Sequence, residues 1–344
     1  MRCVVVGAGI IGLAVARELQ RREHEVVVLE REGIGAGASG VQPGGVRRQW
    51  GTRVACRLAA ESVVFWRQID ELVESPLQLT FRDCGYLFVA RTEETLERLA
   101  ANVRVQHEQG IPSQLVTPAE AAELVPGLRE DSLAGGAWCG EDGYFDRPQS
   151  VVEAFARGLD VRREDVRALD SLEADAIVVA AGAETRALLA PLGVEVPVFP
   201  EDRFLFYSDP VAERLLDPLV VVPELAFAAK QLADGRVLAS DLSGRDRETI
   251  RRGFEELLPR LVYVSFASLV RGVYDVTPDH QPILGAVGDG LFVACGFSGH
   301  GFMIAPAVAR VTADAVEGKR DEALDELGLD RFAAGRLVPE PQLV

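Results

Sequence analysis

The first thirty residues most constrain what this chain can fold into. Arg2-Cys-Val-Val-Val6 reads as a strand. Gly7-Ala-Gly-Ile-Ile-Gly12 reads as a turn opening a helix, and Glu25-Val-Val-Val-Leu-Glu30 as a second strand that ends in an acid. Gly7, Gly9 and Gly12 carry the G-x-G-x-x-G spacing, and Glu30 lies 18 positions beyond the last of them. In that spacing the first glycine permits the tight turn, the second lets the backbone approach a pyrophosphate, and the third lets helix and strand pack closely. A helix starting near Ile10 presents free N–H groups and partial positive charge to a diphosphate. An acid at the end of the second strand accepts hydrogen bonds from an adenosine ribose, so the segment predicts an adenine dinucleotide, with NAD and FAD both open.

Composition narrows the field. A length of 344 residues suffices for two domains. The chain is 48% hydrophobic and 26% charged, as expected of a soluble globular protein, and no apolar run reaches the ~18 residues of a membrane span. A net charge of −17 argues against nucleic acid and against anionic membranes. Cys3, Cys56, Cys84, Cys139 and Cys295 are scattered and odd in number, which favours free thiols in a reducing cytoplasm over zinc or disulfides.

Further along, Gly33 to Gly40 and Gly44-Gly-Val-Arg-Arg-Gln-Trp50 form small-residue loops beside the expected cofactor. Helical periodicity runs from Arg53 to Val73, Thr92 to Gln109, Thr117 to Leu124 (with Glu120 at the capping-box position) and Gln149 to Gly158. Ala176 to Gly182 is a wholly apolar strand of the kind buried in the middle of a parallel sheet. Residues 203–275 alternate short β-like runs with turns, Asp234-Gly235 among them. The chain then returns to an apolar strand at Gly290–Gly296 and a helix from about Gly301 to Glu317. This order predicts an α/β fold in which a Rossmann-like dinucleotide domain (1–77, 143–200 and 276–330) is interleaved with an α+β substrate domain (78–142 and 201–275) on an antiparallel sheet. Their junction is the expected ligand pocket.

The second strong signal is Gly296-Phe-Ser-Gly-His-Gly-Phe-Met303, between a strand and the last long helix. A second glycine-rich helix start suits a group that becomes anionic during reaction, such as the N1–C2=O edge of a reduced flavin. Together with Gly37-Ala-Ser-Gly40, Asp142-Gly-Tyr-Phe-Asp146, Ala180-Ala-Gly182 and Thr277-Pro-Asp-His-Gln-Pro282, the pattern resembles the D-amino-acid oxidase/sarcosine oxidase/glycine oxidase family of FAD enzymes. It is most similar to the sarcosine oxidase β-subunit-like branch. The motifs occur in the family's order over nearly the whole chain.

The resemblance implies hydride transfer from the carbon beside an amine to flavin N5, followed by hydrolysis of the imine. It implies FAD contacts at Gly7, Gly9, Ile10, Ile11, Gly12, Glu30 and Arg31, and at Ala38, Ser39, Gly44, Gly45 and Val46. Others fall at Val166, Ala181 and Gly182, and at Gly299, His300, Gly301, Phe302 and Met303. Gly272 stands where one branch has its flavin-linked cysteine, and no His occurs between His24 and His107, so non-covalent FAD is expected. The lysine that assists O2 in sarcosine oxidases has no counterpart in Arg236-Val-Leu-Ala239 or at Met303, and Lys230 reads as a surface or edge residue.

Among catalytic candidates, Arg47 or Arg48 can bind a carboxylate bidentately. Tyr274 can line the pocket, in the place where amino-acid oxidases carry an arginine. His300 reads as a helix-start residue beside the flavin, and Arg203 and Tyr207 as residues that can face the pocket. The expected partners are a small amine or amino acid and O2 or another electron acceptor, in a homo- or hetero-oligomer. Two alternatives stay open: a hydroxy acid or glycerol phosphate as electron donor, and a flavin-binding electron-transfer or assembly subunit.

Overall fold

A computed structural model describes residues 1–241 and 247–341. Its first sheet has six strands in the order Ile283–Gly288, Leu291–Cys295, Ala176–Val179, Arg2–Val6, Glu25–Glu30, Asp160–Arg163. All neighbours are parallel except the first pair. Side chains of a strand alternate between faces, and here both faces are covered. Cys3 and Val5 join a core with helices Ile10–Arg21 and Gly301–Val316, whereas Val4 and Val6 join a second core with Leu189, Val196 and Val198.

The second sheet has eight strands: Phe266–Val276, Phe199–Pro210, Arg236–Asp241, Phe227–Gln231, Leu219–Val222, Tyr86–Ala90, Gly135–Cys139 and Gln114–Val116. It is antiparallel except at one seam, where Leu219–Val222 meets Tyr86–Ala90 in parallel. Those two strands come from chain segments 129 and more residues apart, so no hairpin constrains their direction. One face packs against helix Arg247–Leu257 through Ile250, Phe254 and Leu257; the other carries Tyr86, Phe88, Leu219 and Val221. A small sheet of Gly45–Val46, Gly143–Phe145 and Phe81–Arg82 lies between.

Local signals explain most element boundaries. The Thr117/Glu120 capping box forms in both directions, and Thr92 caps helix Glu93–Glu108 by accepting from Thr95 N–H. The helix expected from Arg53 to Val73 instead stops at Arg67, with a separate turn at Ile69–Leu72, because Gln68 leaves the helical region. Pro306 lies inside helix Gly301–Val316 and deprives Phe302 C=O of its helical donor. Trp66 Nε1 donates to Met303 O at 2.8 Å and Ser62 Oγ accepts from Ala307 N–H at 3.2 Å, so helix Arg53–Arg67 braces the backbone around the proline.

Candidate active site

Each glycine of the first turn has a distinct reason. Gly7 has φ +110°, and a Cβ there would sit 2.5 Å from Ala180 O on the neighbouring strand's exit. A Cβ on Gly12 would come within 2.0 Å of Gly7 O, so that glycine sets how closely helix and strand approach. A Cβ on Gly9 would meet only Ser39 Oγ, at 3.1 Å, and would fill space in the cavity. Ser39 Oγ accepts the N–H of Ile10, the first residue of helix Ile10–Arg21. The Glu30 carboxylate is aimed by the N–H groups of Ala8 (2.8 Å), Glu32 (2.7 Å) and Gly33 (3.3 Å).

A cavity of about 1150 Å³ runs from this strand end to the second sheet. Gly7, Gly9, Ile10 and Ile11 line it from the first turn, Glu30 and Arg31 from the second strand, and Ala38 and Ser39 from the following loop. Val166, Ala181 and Gly182 line it from the middle of the chain, and Tyr274, Gly299, Gly301 and Phe302 close its far end. Residues some 270 positions apart are thereby brought to one space. The far end is the start of the last long helix. Gly296, Ser298 and Gly299 all have positive φ there, and a Cβ on Gly299 would lie 2.2 Å from the Tyr274 ring.

The other expected residues are near but do not line the cavity. Gly12 and Val46 are packed in the core, and Met303 is buried in the helix that Trp66 braces. Gly44 has φ +75°, and a Cβ there would meet Phe145 O at 2.6 Å and the Pro148 ring at 3.1 Å, while Gly45 abuts the Tyr86 hydroxyl. Arg47 is buried, lies 3.8 Å over the Trp50 ring and donates to Gln49 O. Burial holds its ionisation below the usual arginine range. His300 packs edge-on against Trp50 at 4.3 Å, and burial beside Arg47 keeps it neutral, well below the usual histidine range.

Arg48 is committed to the protein itself. Its Nε is 3.1 Å from Asp142 Oδ1 and its Nη2 is 2.8 Å from Glu141, while its backbone N–H donates to Asp142 Oδ2. A guanidinium so engaged supports the loop it comes from. Arg203 pairs with Glu201 and lies 5.4 Å from the Tyr274 ring, and Tyr207 is half-buried beneath Arg236; neither lines the cavity. Lys230 is not a surface residue. It is fully buried, donates to Phe145 O at 3.2 Å and lies 3.9 Å from the Tyr144 ring centroid.

Gln42 and Asp275 are among the lining residues that were not foreseen. Gln42 is buried, and its side-chain oxygen accepts from Gly44 N–H. Asp275 follows Tyr274 at the end of its strand and is buried without a salt bridge among the described residues. For Asp275 the only sequence signal was an acid inside a β-like run. Among the described residues no group of three His, Cys, Asp or Glu could hold a metal ion, and no helix is long and apolar enough to cross a membrane.

The residues present fit FAD: a long cavity with a carboxylate at one end, a glycine cradle at a helix start near its middle, and a second helix start at the other end. Residues 2–315 match the family model described as DAO, FAD dependent oxidoreductase. The chain is 27% identical to a D-amino acid dehydrogenase of Methylobacterium radiotolerans, covering 97% of this chain and 100% of that one. It is also 27% identical to a glycine oxidase of Geobacillus kaustophilus, covering 92% of each. The crystal structure of L-proline dehydrogenase from P. horikoshii superposes with a TM-score of 0.90 at 26% identity, covering 98% of this chain and 99% of that one.

Proposed function

This chain belongs to the DAO family of FAD-dependent oxidoreductases, and from that premise we propose that it oxidises the C–N bond of a small amine or amino acid, N-substituted or cyclic, to an imine that water then hydrolyses. Bound non-covalently along the cavity, FAD supplies the two-electron acceptor for the substrate's hydride. The chain's own residues bind and orient. Glu30 would hold the adenosine ribose, while Gly9, Ser39 and the start of helix Ile10–Arg21 would receive the diphosphate. Gly299, Gly301 and Phe302, at the far end of the cavity, would receive the flavin's pyrimidine end.

Tyr274 is the residue best placed to orient substrate. It lines the cavity beside the second helix start, and burial pushes its phenol above the usual range, so at neutral pH it remains a hydrogen-bond donor. A phenol can hold a carboxylate or amine without transferring a proton. No base is assigned to His300, which packs on Trp50 outside the cavity lining. Lys230 lies outside that lining too, committed to Phe145 O, so the electron acceptor is proposed to be one other than O2. Four of the five free cysteines are buried, which fits a cytoplasmic setting.

The observation that carries the reading is the single cavity joining Glu30 to Tyr274 past two helix starts. The test is anaerobic bleaching of the purified yellow protein by a panel of sarcosine, proline, hydroxyproline, D-amino acids and glycerol phosphate. Bleaching by a member of the amine set is expected, with slow peroxide formation in air. Bleaching by glycerol phosphate alone, or by none of the panel, overturns the amine reading.

A further inference from the structure

Asp275 sits one residue from the end of strand Phe266–Val276, 7% exposed, at the cavity end lined by Tyr274, Phe297 and Gly299. It grips the following turn at two points. Its Oδ2 accepts Gly296 N–H at 2.7 Å, and its backbone carbonyl accepts Ser298 N–H at 3.0 Å. Between and beyond those points the backbone is unusual. Gly296 has φ +75°, and a Cβ there would lie 2.4 Å from Thr277 Cγ2. Ser298, a non-glycine residue, has φ +51°, a conformation that persists only where the surroundings impose it. Gly299 comes immediately after, and Gly301 begins the last long helix.

A buried carboxylate is usually matched by a cation. Asp275 has no salt bridge among the described residues, and backbone amides alone, those of Gly296, Phe297 and Asp275 itself, favour its ionised form. Burial alone pushes its carboxyl up to about 6, so above that pH it is an anion held in a poorly solvated place. Two-electron reduction adds negative charge to a flavin, and like charges repel strongly where water is excluded.

We propose that Asp275 is a positioning residue that fixes the turn presenting amides to the flavin ring, and that as a buried anion at that end of the cavity it lowers the flavin's reduction potential. The inference rests on FAD occupying this cavity and not on which amine is oxidised. Its test therefore uses the holoenzyme reduced by xanthine and xanthine oxidase against a reference dye at pH 8, with no substrate of the enzyme present.

Asp275→Asn and Asp275→Thr are neutral side chains that keep an oxygen acceptor, in Asn at the Oδ position that accepts Gly296 N–H and in Thr one bond shorter; Asp275→Glu keeps the charge, and Asp275→Ala keeps neither. The midpoint potential is expected to rise in the two neutral acceptors and to stay near the wild-type value in Asp275→Glu. FAD affinity, read by fluorescence quenching, is expected to fall about tenfold or more in Asp275→Ala, the scale of a lost hydrogen bond to a charged group. An unchanged potential in either neutral variant at full FAD occupancy would overturn the electrostatic role. Unchanged FAD affinity in Asp275→Ala would overturn the positioning role.

Discussion

Glu340 and Thr52, 288 residues apart, are joined by a 2.7 Å hydrogen bond from the Thr52 hydroxyl to Glu340 Oε2. Glu340 Oε1 accepts the neighbouring Gly51 N–H at 2.7 Å. Thr52 occupies the N-cap of helix Arg53–Arg67, yet its side chain makes no cap bond: the hydroxyl donates to Glu340 and its oxygen accepts from Gln281 Nε2 at 2.9 Å. Glu340 is placed in turn by its own N–H on Asp279 O, and Asp279 forms a fully buried pair with Arg331. The terminal segment thus latches the loop carrying Arg47 and Trp50. Glu340→Ala removes the hydrogen bonds that Gly51, Thr52 and Gln281 donate to a buried carboxylate and should cost about 2–4 kcal/mol. Glu340→Gln, which retains one acceptor, should cost less. Urea unfolding followed by tryptophan fluorescence reads both, and an unmoved midpoint in Glu340→Ala would show that the latch is ornamental.

Gly9 and Gly12 should separate binding from folding. Alanine at Gly12 forces its Cβ to within 2.0 Å of a backbone oxygen, so the helix must move off the strand. Alanine at Gly9 meets only the Ser39 hydroxyl. Gly12→Ala is therefore expected to lower the melting temperature of the FAD-free protein, and Gly9→Ala to leave it in place while weakening FAD. Differential scanning calorimetry with and without added FAD distinguishes them; equal apoprotein destabilisation by both would refute the assignment.

Lys230 makes stability depend on pH. Burial lowers its ammonium to about 7, against about 10.4 for an unfolded chain. Between those values the unfolded state binds more protons than the folded one, so stability rises as pH climbs from 7 to 10. Lys230→Met lacks this dependence. The wild type should gain a few kcal/mol on the variant over that interval, and melting curves of both at pH 7 and pH 9.5 measure the gain. Parallel curves would mean that Lys230 keeps an ordinary pKa.

Tyr274 and Asp142 should fail in different ways. Tyr274→Phe keeps the ring against Gly299 and removes only the hydroxyl, so KM should rise by about tenfold while the melting temperature stays constant. Asp142 is fully buried and holds Arg48 through side chain and backbone, so Asp142→Ala leaves the buried Arg48 guanidinium only its pair with the half-exposed Glu141 and should cost about 3 kcal/mol. Steady-state kinetics at full FAD occupancy, paired with thermal melts, tests both. A constant KM in Tyr274→Phe would remove that tyrosine from substrate orientation.

Short-range chemistry was legible in the sequence. The first turn, the capping box at Thr117 and the glycine-rich start of the last helix each depend on residues within a few positions of one another. Helix Arg247–Leu257 carried a readable period in Ile250, Gly253, Phe254 and Leu257, although runs of charge around them masked it. Strand Gly135–Cys139, opening on two glycines, carried no alternation that could be read.

By itself, then, the sequence determined that a glycine turn of the dinucleotide-binding spacing opens the fold and that a second glycine-rich turn opens the last long helix, because spacing and residue type settle turns and caps locally. Only tertiary structure decided which charged groups serve the site. Arg48 went to Asp142, Lys230 to Phe145 O and Glu340 to Thr52, while Asp275 was left without a salt bridge among the described residues. The energy of a buried charge depends on what surrounds it, and those surroundings come from strands and loops far away in the chain.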